Sequence, residues 1–143
     1  MEPIYIEIHG VPIAKKRPRF ARRGKFVTTY NDQETEEGKF ILDLRQQFKG
    51  ISPLEVPLKL QAEFHMPIPK STSKKKTEMM LSHAICHTKK PDLDNLIKFV
   101  KDCCNGEIWK DDSQVCSIQA DKYYSHTPKT RIWITEITNG QMV

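Results

Sequence analysis

Residues 58–66, Leu-Lys-Leu-Gln-Ala-Glu-Phe-His-Met, alternate apolar and polar side chains, and they are the strongest strand pattern in the chain. A period of two places every second side chain on the same side of a β-strand. We therefore expect one face of this strand to be buried and the other to meet solvent. The breaker residues from Pro67 to Ser73 end the pattern.

Shorter strand patterns lie on both sides of this segment. Residues 4–8 alternate isoleucine with polar side chains, and residues 25–29, 115–124 and 131–137 are also expected to form strands. Strands that bury one face form antiparallel or mixed sheets, with helices covering the buried side. The pattern predicts an α+β fold, with a mixed or antiparallel β-sheet and helices packed on one face.

Three segments have the periodicity of helices. The first has an apolar face within residues 40–48 and is expected to begin at a capping box formed by Asn31 and Glu34. A second helix is predicted over residues 73–84. The third covers residues 93–104, where apolar side chains recur at helical spacing.

Acidic residues flank the third predicted helix. Asp92 and Asp94 lie at its start, and Asp111 and Asp112 follow its end. If a return of the chain gathered these carboxylates, each close pair would repel by about 4 kcal/mol at an effective dielectric near 20. A cation would balance them, and Mg²⁺ prefers carboxylate, water and phosphate oxygens. Lys98, one turn after Asp94, would then lie at the scissile phosphate of a phosphodiester substrate.

An ordinary structural explanation exists for each of these residues. Asp92 could cap the helix, and Asp94 could complement the helix dipole. Residues 111–113 could form a polar turn. Asp94 and Lys98 could be a surface ion pair one turn apart. Both interpretations stay open on the residues alone.

The motifs at these positions resemble a known family. Pro91 to Lys98, Pro-Asp-Leu-Asp-Asn-Leu-x-Lys, followed by Trp-x-Asp-Asp-Ser-Gln-Val at residues 109–115, is similar to the RusA family of Holliday junction resolvases, many of them carried by prophages. Gly10-x-Pro12 and residues 16–19 resemble that family's N-terminal pattern. The resemblance implies a single RusA-like endonuclease domain over residues 1–143, assembled as a homodimer.

The resemblance also implies a reaction and a set of residues. Asp92, Asp94, Lys98 and Asp112 would be catalytic, and the three aspartates would bind Mg²⁺, with Mn²⁺ as a substitute ion. The enzyme would resolve four-way junctions by paired symmetric nicks, in DNA recombination and repair. Asp102 also matches a family acid. The alternatives are a less selective branched-DNA endonuclease and a non-catalytic junction-binding protein.

Basic residues concentrate in the first part of the chain. Residues 1–90 hold 17 Lys and Arg against 10 Asp and Glu, within a chain of net charge +5. A run from Lys15 to Lys25 contains no acidic residue, and such a run bracketed by strands favours a phosphate-binding ribbon. The predicted DNA-binding residues are Lys15, Lys16, Arg17, Arg19, Arg22, Arg23, Lys89 and Lys90.

Other features narrow the class of protein. No apolar run approaches the ~20 residues of a membrane span, and the first residues lack the pattern of a signal peptide. We expect a cytoplasmic protein with no membrane partner. The 4 cysteines are expected to be reduced thiols. A zinc site at His83, Cys86 and His87 is the weaker alternative, because a fourth ligand is not obvious.

Overall fold

The computed structural model describes residues 2–16, 19–24, 26–30 and 33–138, with the backbone alone for residues 19–23 and 26–30. Its elements follow the predicted order, with one strand, at Arg19–Arg23 within the basic run, that the sequence analysis did not predict. They are β1 (Ile4–His9), β2 (Arg19–Arg23), β3 (Phe26–Tyr30), α1 (Glu34–Gln47), β4 (Leu58–Pro67), α2 (Lys74–Leu81), α3 (Leu93–Cys104), a 3₁₀ turn (Asp112–Gln114), β5 (Val115–Ser125) and β6 (Lys129–Glu136).

Four of the strands form one mixed sheet in the order β1-β6-β4-β5. Strand β6 runs antiparallel to both β1 and β4, whereas β4 and β5 are parallel. A parallel pair requires a crossover connection, and here the chain between β4 and β5 contains α2 and α3. The predicted α+β fold is confirmed. Strands β2 and β3 form a separate antiparallel hairpin.

The alternation in β4 decides which face of the sheet is buried. Leu58, Leu60, Ala62 and Phe64 are all 0% exposed, and the polar side chains between them point to the opposite face. The buried face packs against the apolar sides of α1 and α3. Burying a large apolar side chain stabilises the fold by roughly 1.5–3 kcal/mol, so this interface fixes α3 on the sheet.

The opposite face of the sheet is organised around Arg131. Its guanidinium carbon lies 4.8 Å from the centre of the Trp133 ring, and its Nη1 lies 3.2 Å from Glu63 Oε1. Its Nε donates to the Tyr5 hydroxyl at 2.9 Å. Tyr5 is 43% exposed, so this face meets solvent as the sequence predicts.

Two helix boundaries differ from the prediction. Helix α1 has Gln33 as its N-cap, so the predicted capping box starting at Asn31 is wrong, and Asn31 itself lies outside the described residues. The Gln33 side chain does not cap α1 but bonds the neighbouring segment. Helix α2 ends at Leu81, three residues early, because His83 adopts a left-handed φ of 67°. Within the described residues, no helix is long and apolar enough to cross a membrane.

Candidate active site

Helix α3 is the platform of the candidate site. Leu96, Val100 and Cys104 are buried, with Leu93 and Ile97 partly buried beside them, as the helical spacing predicts. This stripe holds α3 against the sheet and leaves its other side exposed. The polar residues of the helix are therefore presented to solvent from a rigid element.

The two aspartates at the start of α3 have accessible carboxylates. Asp92 occupies the N-cap position, but its side chain makes no capping hydrogen bond. Asp94 Oδ1 accepts the backbone N–H of Asn95 at 3.0 Å. Both residues are exposed. Helix capping thus does not occupy the Asp92 carboxylate, and both side chains can accept a cation.

Lys122 of β5 holds the chain that enters α3. Its Nζ donates to the carbonyl oxygens of Lys89 and Pro91, at 3.0 Å in each case. This clamp fixes the backbone immediately before Asp92. Sequence reasoning missed Lys122; the available sign was a lysine in phase with Ala120 and Tyr124, on the core side of its strand.

Asp112 is held by the opposite end of α3. Its Oδ1 accepts the indole N–H of Trp109 at 2.7 Å, and its backbone N–H donates to Asn105 Oδ1 at 3.0 Å. Trp109 is 0% exposed, and Asn105 is the C-cap of the helix. Asp112 is therefore an oriented carboxylate on a fixed support. Neither supporting contact could be read from the motif.

The structure separates the two acidic groups along α3. A helix of 12 residues spans about 18 Å, and Asp92 and Asp112 lie beside opposite ends. A return of Asp112 to the helix start, which the sequence allowed, is not observed. Gly106, with φ of 80°, donates its N–H to the Trp109 carbonyl at 2.7 Å and makes the turn tight. In the described part of the chain, no three His, Cys, Asp or Glu residues are arranged to hold a metal.

Asp111 has a structural role that distinguishes it from Asp112. Its carboxylate accepts the backbone N–H of Ser113 at 2.9 Å, and its own N–H donates to Gln114 Oε1 at 2.8 Å. This is a reciprocal capping box at the start of the 3₁₀ turn. The hydrogen bonds from Ser113 hold the pKa of Asp111 below its ordinary value. The turn explanation therefore accounts for Asp111, and Asp112 remains the candidate ligand.

Lys98 projects from α3 one turn after Asp94. Its side chain is 61% exposed, and its Nζ lies 3.9 Å from Asp102 Oδ2. Lys15 contacts the same oxygen at 3.2 Å and Glu37 Oε1 at 2.6 Å. Burial lowers the pKa of Lys15, but its hydrogen bonds to the two carboxylates outweigh this and raise the pKa above its ordinary value.

The other predicted DNA-binding residues lie either in the segments near α1 and α3 or in and next to the β2–β3 hairpin. Lys89 and Lys90 are exposed beside Asp92, and Lys16 is 58% exposed, 3.6 Å from Glu36. The remaining predicted residues belong to or adjoin the hairpin of β2 and β3: Arg17 lies outside the described residues, and the backbone alone is described for Arg19, Arg22 and Arg23.

Among the residues that the structure describes, His83, Cys86 and His87 do not form a group that could hold a metal ion. Cys86, Cys103, Cys104 and Cys116 are all free thiols. Burial raises the pKa of Cys103 to about 12, so this thiol stays protonated at neutral pH. The left-handed conformation of His83 also places it beyond the end of α2.

Replacing Trp109 with phenylalanine should slow a reaction that uses Asp112. The substitution keeps an aromatic ring in the core but removes the N–H that orients the carboxylate. Loss of such an outer-shell contact typically costs about 10- to 100-fold in activity. Single-turnover nuclease rates measure the effect, with Trp133→Phe on the open sheet face as the matched control. Equal rates for the two variants would contradict the orienting role.

Comparisons with known proteins cover most of the chain, including the residues of this site. The family model described as "Endodeoxyribonuclease RusA" matches residues 9–135. The chain is also 33% identical over 141 residues to "Uncharacterized protein YqaN" of Bacillus subtilis (strain 168), in an alignment that covers 96% of this chain and 99% of the relative.

Proposed function

Because this chain belongs to the RusA family of endodeoxyribonucleases, we propose that it is a Mg²⁺-dependent nuclease that resolves four-way DNA junctions by paired symmetric nicks. The observation that carries the proposal is the start of α3, where Asp92 and Asp94 have accessible carboxylates and Lys98 is exposed one turn later. The proposed setting is cytoplasmic DNA recombination and repair, in a protein of prophage type.

The chemistry of the side chains fits a hard divalent cation. Asp92, Asp94 and Asp112 offer the carboxylate oxygens that Mg²⁺ prefers, and Mn²⁺ accepts similar ligands. The ion would supply an activated water and screen the charge of the phosphate. Lys98 would stabilise negative charge on the phosphoryl oxygens in the transition state, as a charged donor directed at the reacting phosphate.

We propose that a second copy of the chain completes each site. Asp92 and Asp112 lie beside opposite ends of α3, too far apart to bind one ion within a single copy. In a two-fold symmetric dimer, the start of α3 from one copy can face Asp112 of the other, and the same contact occurs twice. Such a homodimer has two equivalent sites, which is the number that paired nicks require.

The basic segments supply the DNA-binding surface of the proposal. Lys89 and Lys90 adjoin the aspartates, and Lys16 with the arginines of the β2–β3 hairpin extends the positive charge. Lys15 is left out of this set, because its ammonium already contacts two carboxylates. Phosphate contacts of this kind release counterions and make binding salt-dependent.

Replacing Lys89 and Lys90 together with alanine should weaken junction binding and reduce its salt dependence. Each lost phosphate contact lowers the slope of log K against log salt by about 0.9, so the pair should lower it by about 1.8. Fluorescence anisotropy over a salt series measures the slope. The control is Lys74→Ala with Lys75→Ala on α2; an equal change in both variants would contradict a specific role for Lys89 and Lys90.

A substrate panel tests the junction preference. Four-way junction, replication fork, flap and linear duplex are incubated separately with the purified protein and Mg²⁺. Cleavage of the four-way junction at opposed, symmetric positions is the expected result. Comparable nicking of forks and flaps would favour the less selective branched-DNA endonuclease instead.

A further inference from the structure

We propose that Lys15 is a positioning residue that occupies Asp102 and so keeps the ammonium of Lys98 available to the substrate. The inference rests on the proposed function, in which Lys98 acts at the scissile phosphate. Its starting point is the competition of two lysines for one carboxylate oxygen. Asp102 Oδ2 lies 3.2 Å from Lys15 Nζ and 3.9 Å from Lys98 Nζ.

Burial favours Lys15 in this competition. The side chain of Lys15 is 19% exposed and that of Lys98 is 61% exposed. Lys15 also contacts Glu37 Oε1 at 2.6 Å, so its ammonium lies between carboxylates of α1 and α3. An ion pair that is partly shielded from water is screened less than an exposed one.

The backbone fixes Lys15 before its side chain binds. Its N–H donates to the Asn95 carbonyl of α3 at 2.9 Å. The residues on either side are held by the buried carboxamide of Gln33, which donates to the Ala14 carbonyl at 2.8 Å and accepts the N–H of Lys16 at 2.6 Å. Lys15 therefore has a fixed backbone, as Lys98 has within α3, and its less exposed side chain has less conformational freedom to lose on pairing.

The position of Asp102 explains why Lys98 needs this competitor. Lys98 and Asp102 are four residues apart on α3, a spacing at which oppositely charged side chains attract. With Lys15 present, Lys98 Nζ already lies 3.9 Å from the carboxylate oxygen, at the limit of an ion pair. Without Lys15, the carboxylate would hold Lys98 more closely and draw it further toward the C-terminal end of the helix. Asp94 lies one turn in the other direction, at the end of α3 where the proposed reaction occurs.

A double-mutant cycle separates this role from DNA contact and from folding. Lys15→Met should lower the single-turnover rate of junction cleavage by about tenfold, within the range that coupled residues show. In an Asp102→Asn background the same substitution should change the rate by less than about threefold, because no carboxylate remains to hold Lys98. Lys15→Arg should retain most of the rate. Equal losses in both backgrounds would overturn the proposal.

Junction binding provides the second arm. In the Asp102→Asn background, where no carboxylate can hold Lys98, Lys15→Met should leave the Kd and its salt dependence unchanged, because the Lys15 ammonium contacts carboxylates rather than phosphates. A decrease of the salt slope by about 0.9 would mean that Lys15 contacts a phosphate, which would overturn the inference.

A third readout needs no nuclease activity. Lysine ¹⁵Nζ spectra at low temperature detect ammonium groups whose protons exchange slowly because they are held in ion pairs. In Lys15→Met the Lys98 resonance should become protected, and in Lys15→Met with Asp102→Asn it should not. If the wild-type protein fails to cleave but this pattern is seen, the proposed function fails and the lysine competition stands. An unprotected Lys98 in Lys15→Met would overturn the competition itself.

Discussion

Replacing Asp94 with asparagine is expected to abolish junction cleavage while four-way junction binding is retained or becomes tighter. The substitution keeps the shape of the side chain and removes the charge that would hold Mg²⁺. A metal ion contributes several kcal/mol of transition-state stabilisation, so a loss of about 10³-fold in single-turnover rate is expected. Removal of a negative charge near the DNA backbone also lessens repulsion.

The cleavage rate is measured on a labelled junction in Mg²⁺. The affinity for the junction is measured separately by fluorescence anisotropy in Ca²⁺. Glu34→Gln is the matched control, because Glu34 is an exposed acid in the first turn of α1 as Asp94 is in α3. Loss of binding in parallel with cleavage in Asp94→Asn would contradict its assignment as a metal ligand. Retained cleavage would contradict it equally.

Mixing two inactive variants is expected to restore nuclease activity. If each site combines Asp92 and Asp94 of one copy with Asp112 of the other, a mixed dimer of Asp94→Asn and Asp112→Asn contains one site with both defects and one intact site. That dimer should nick one strand of the junction, although each variant alone is inactive. Each mixed dimer should therefore have one active site, whereas a wild-type dimer has two.

The experiment uses co-expressed variants with different affinity tags, purified through both tags to isolate the mixed dimer. Two copies of the same variant, purified through the same pair of tags, are the control. If the sites lay within single copies, every site in the mixed dimer would carry one defect. Absence of any nick in a stable mixed dimer would therefore contradict the shared site.

The sequence predicted the parts of the fold that depend on local periodicity. Residues 58–66 alternate because one face of β4 is buried, and the stripe on α3 recurs because that helix lies on the sheet. The spacing of apolar side chains along an element shows which of its faces is buried. The end of α3 just before Gly106 follows a local rule as well, because glycine favours the positive φ that often ends a helix.

The predictions that failed were wrong because contacts between residues distant in sequence overrode the local pattern. Gln33 became the N-cap of α1 while its side chain bonds Ala14 and Lys16, contacts that are distant in sequence. The left-handed φ of His83 ends α2, and its ring lies 4.8 Å from that of Tyr123 on β5. Neither competing contact could be weighed from a local pattern.

In the candidate site, too, some features could be predicted from the sequence and others depended on tertiary contacts. Motif spacing identified the aspartates and Lys98, but it could not show that Trp109 and Asn105 orient Asp112 or that Lys122 holds the entry to α3. It also could not show that Asp112 lies beside the far end of the helix, because a return of seven residues is compatible with several directions. The direction observed is what makes the proposed site depend on two copies.

The measurement that tests the central claim most directly is cleavage of an end-labelled four-way junction by the purified protein, with Mg²⁺ or with EDTA, beside a linear duplex of matching sequence. We expect paired, symmetric nicks on the junction alone, which are lost in EDTA. Binding of the junction without any nick, in Mg²⁺ and in Mn²⁺, would contradict the account and leave a non-catalytic junction-binding protein.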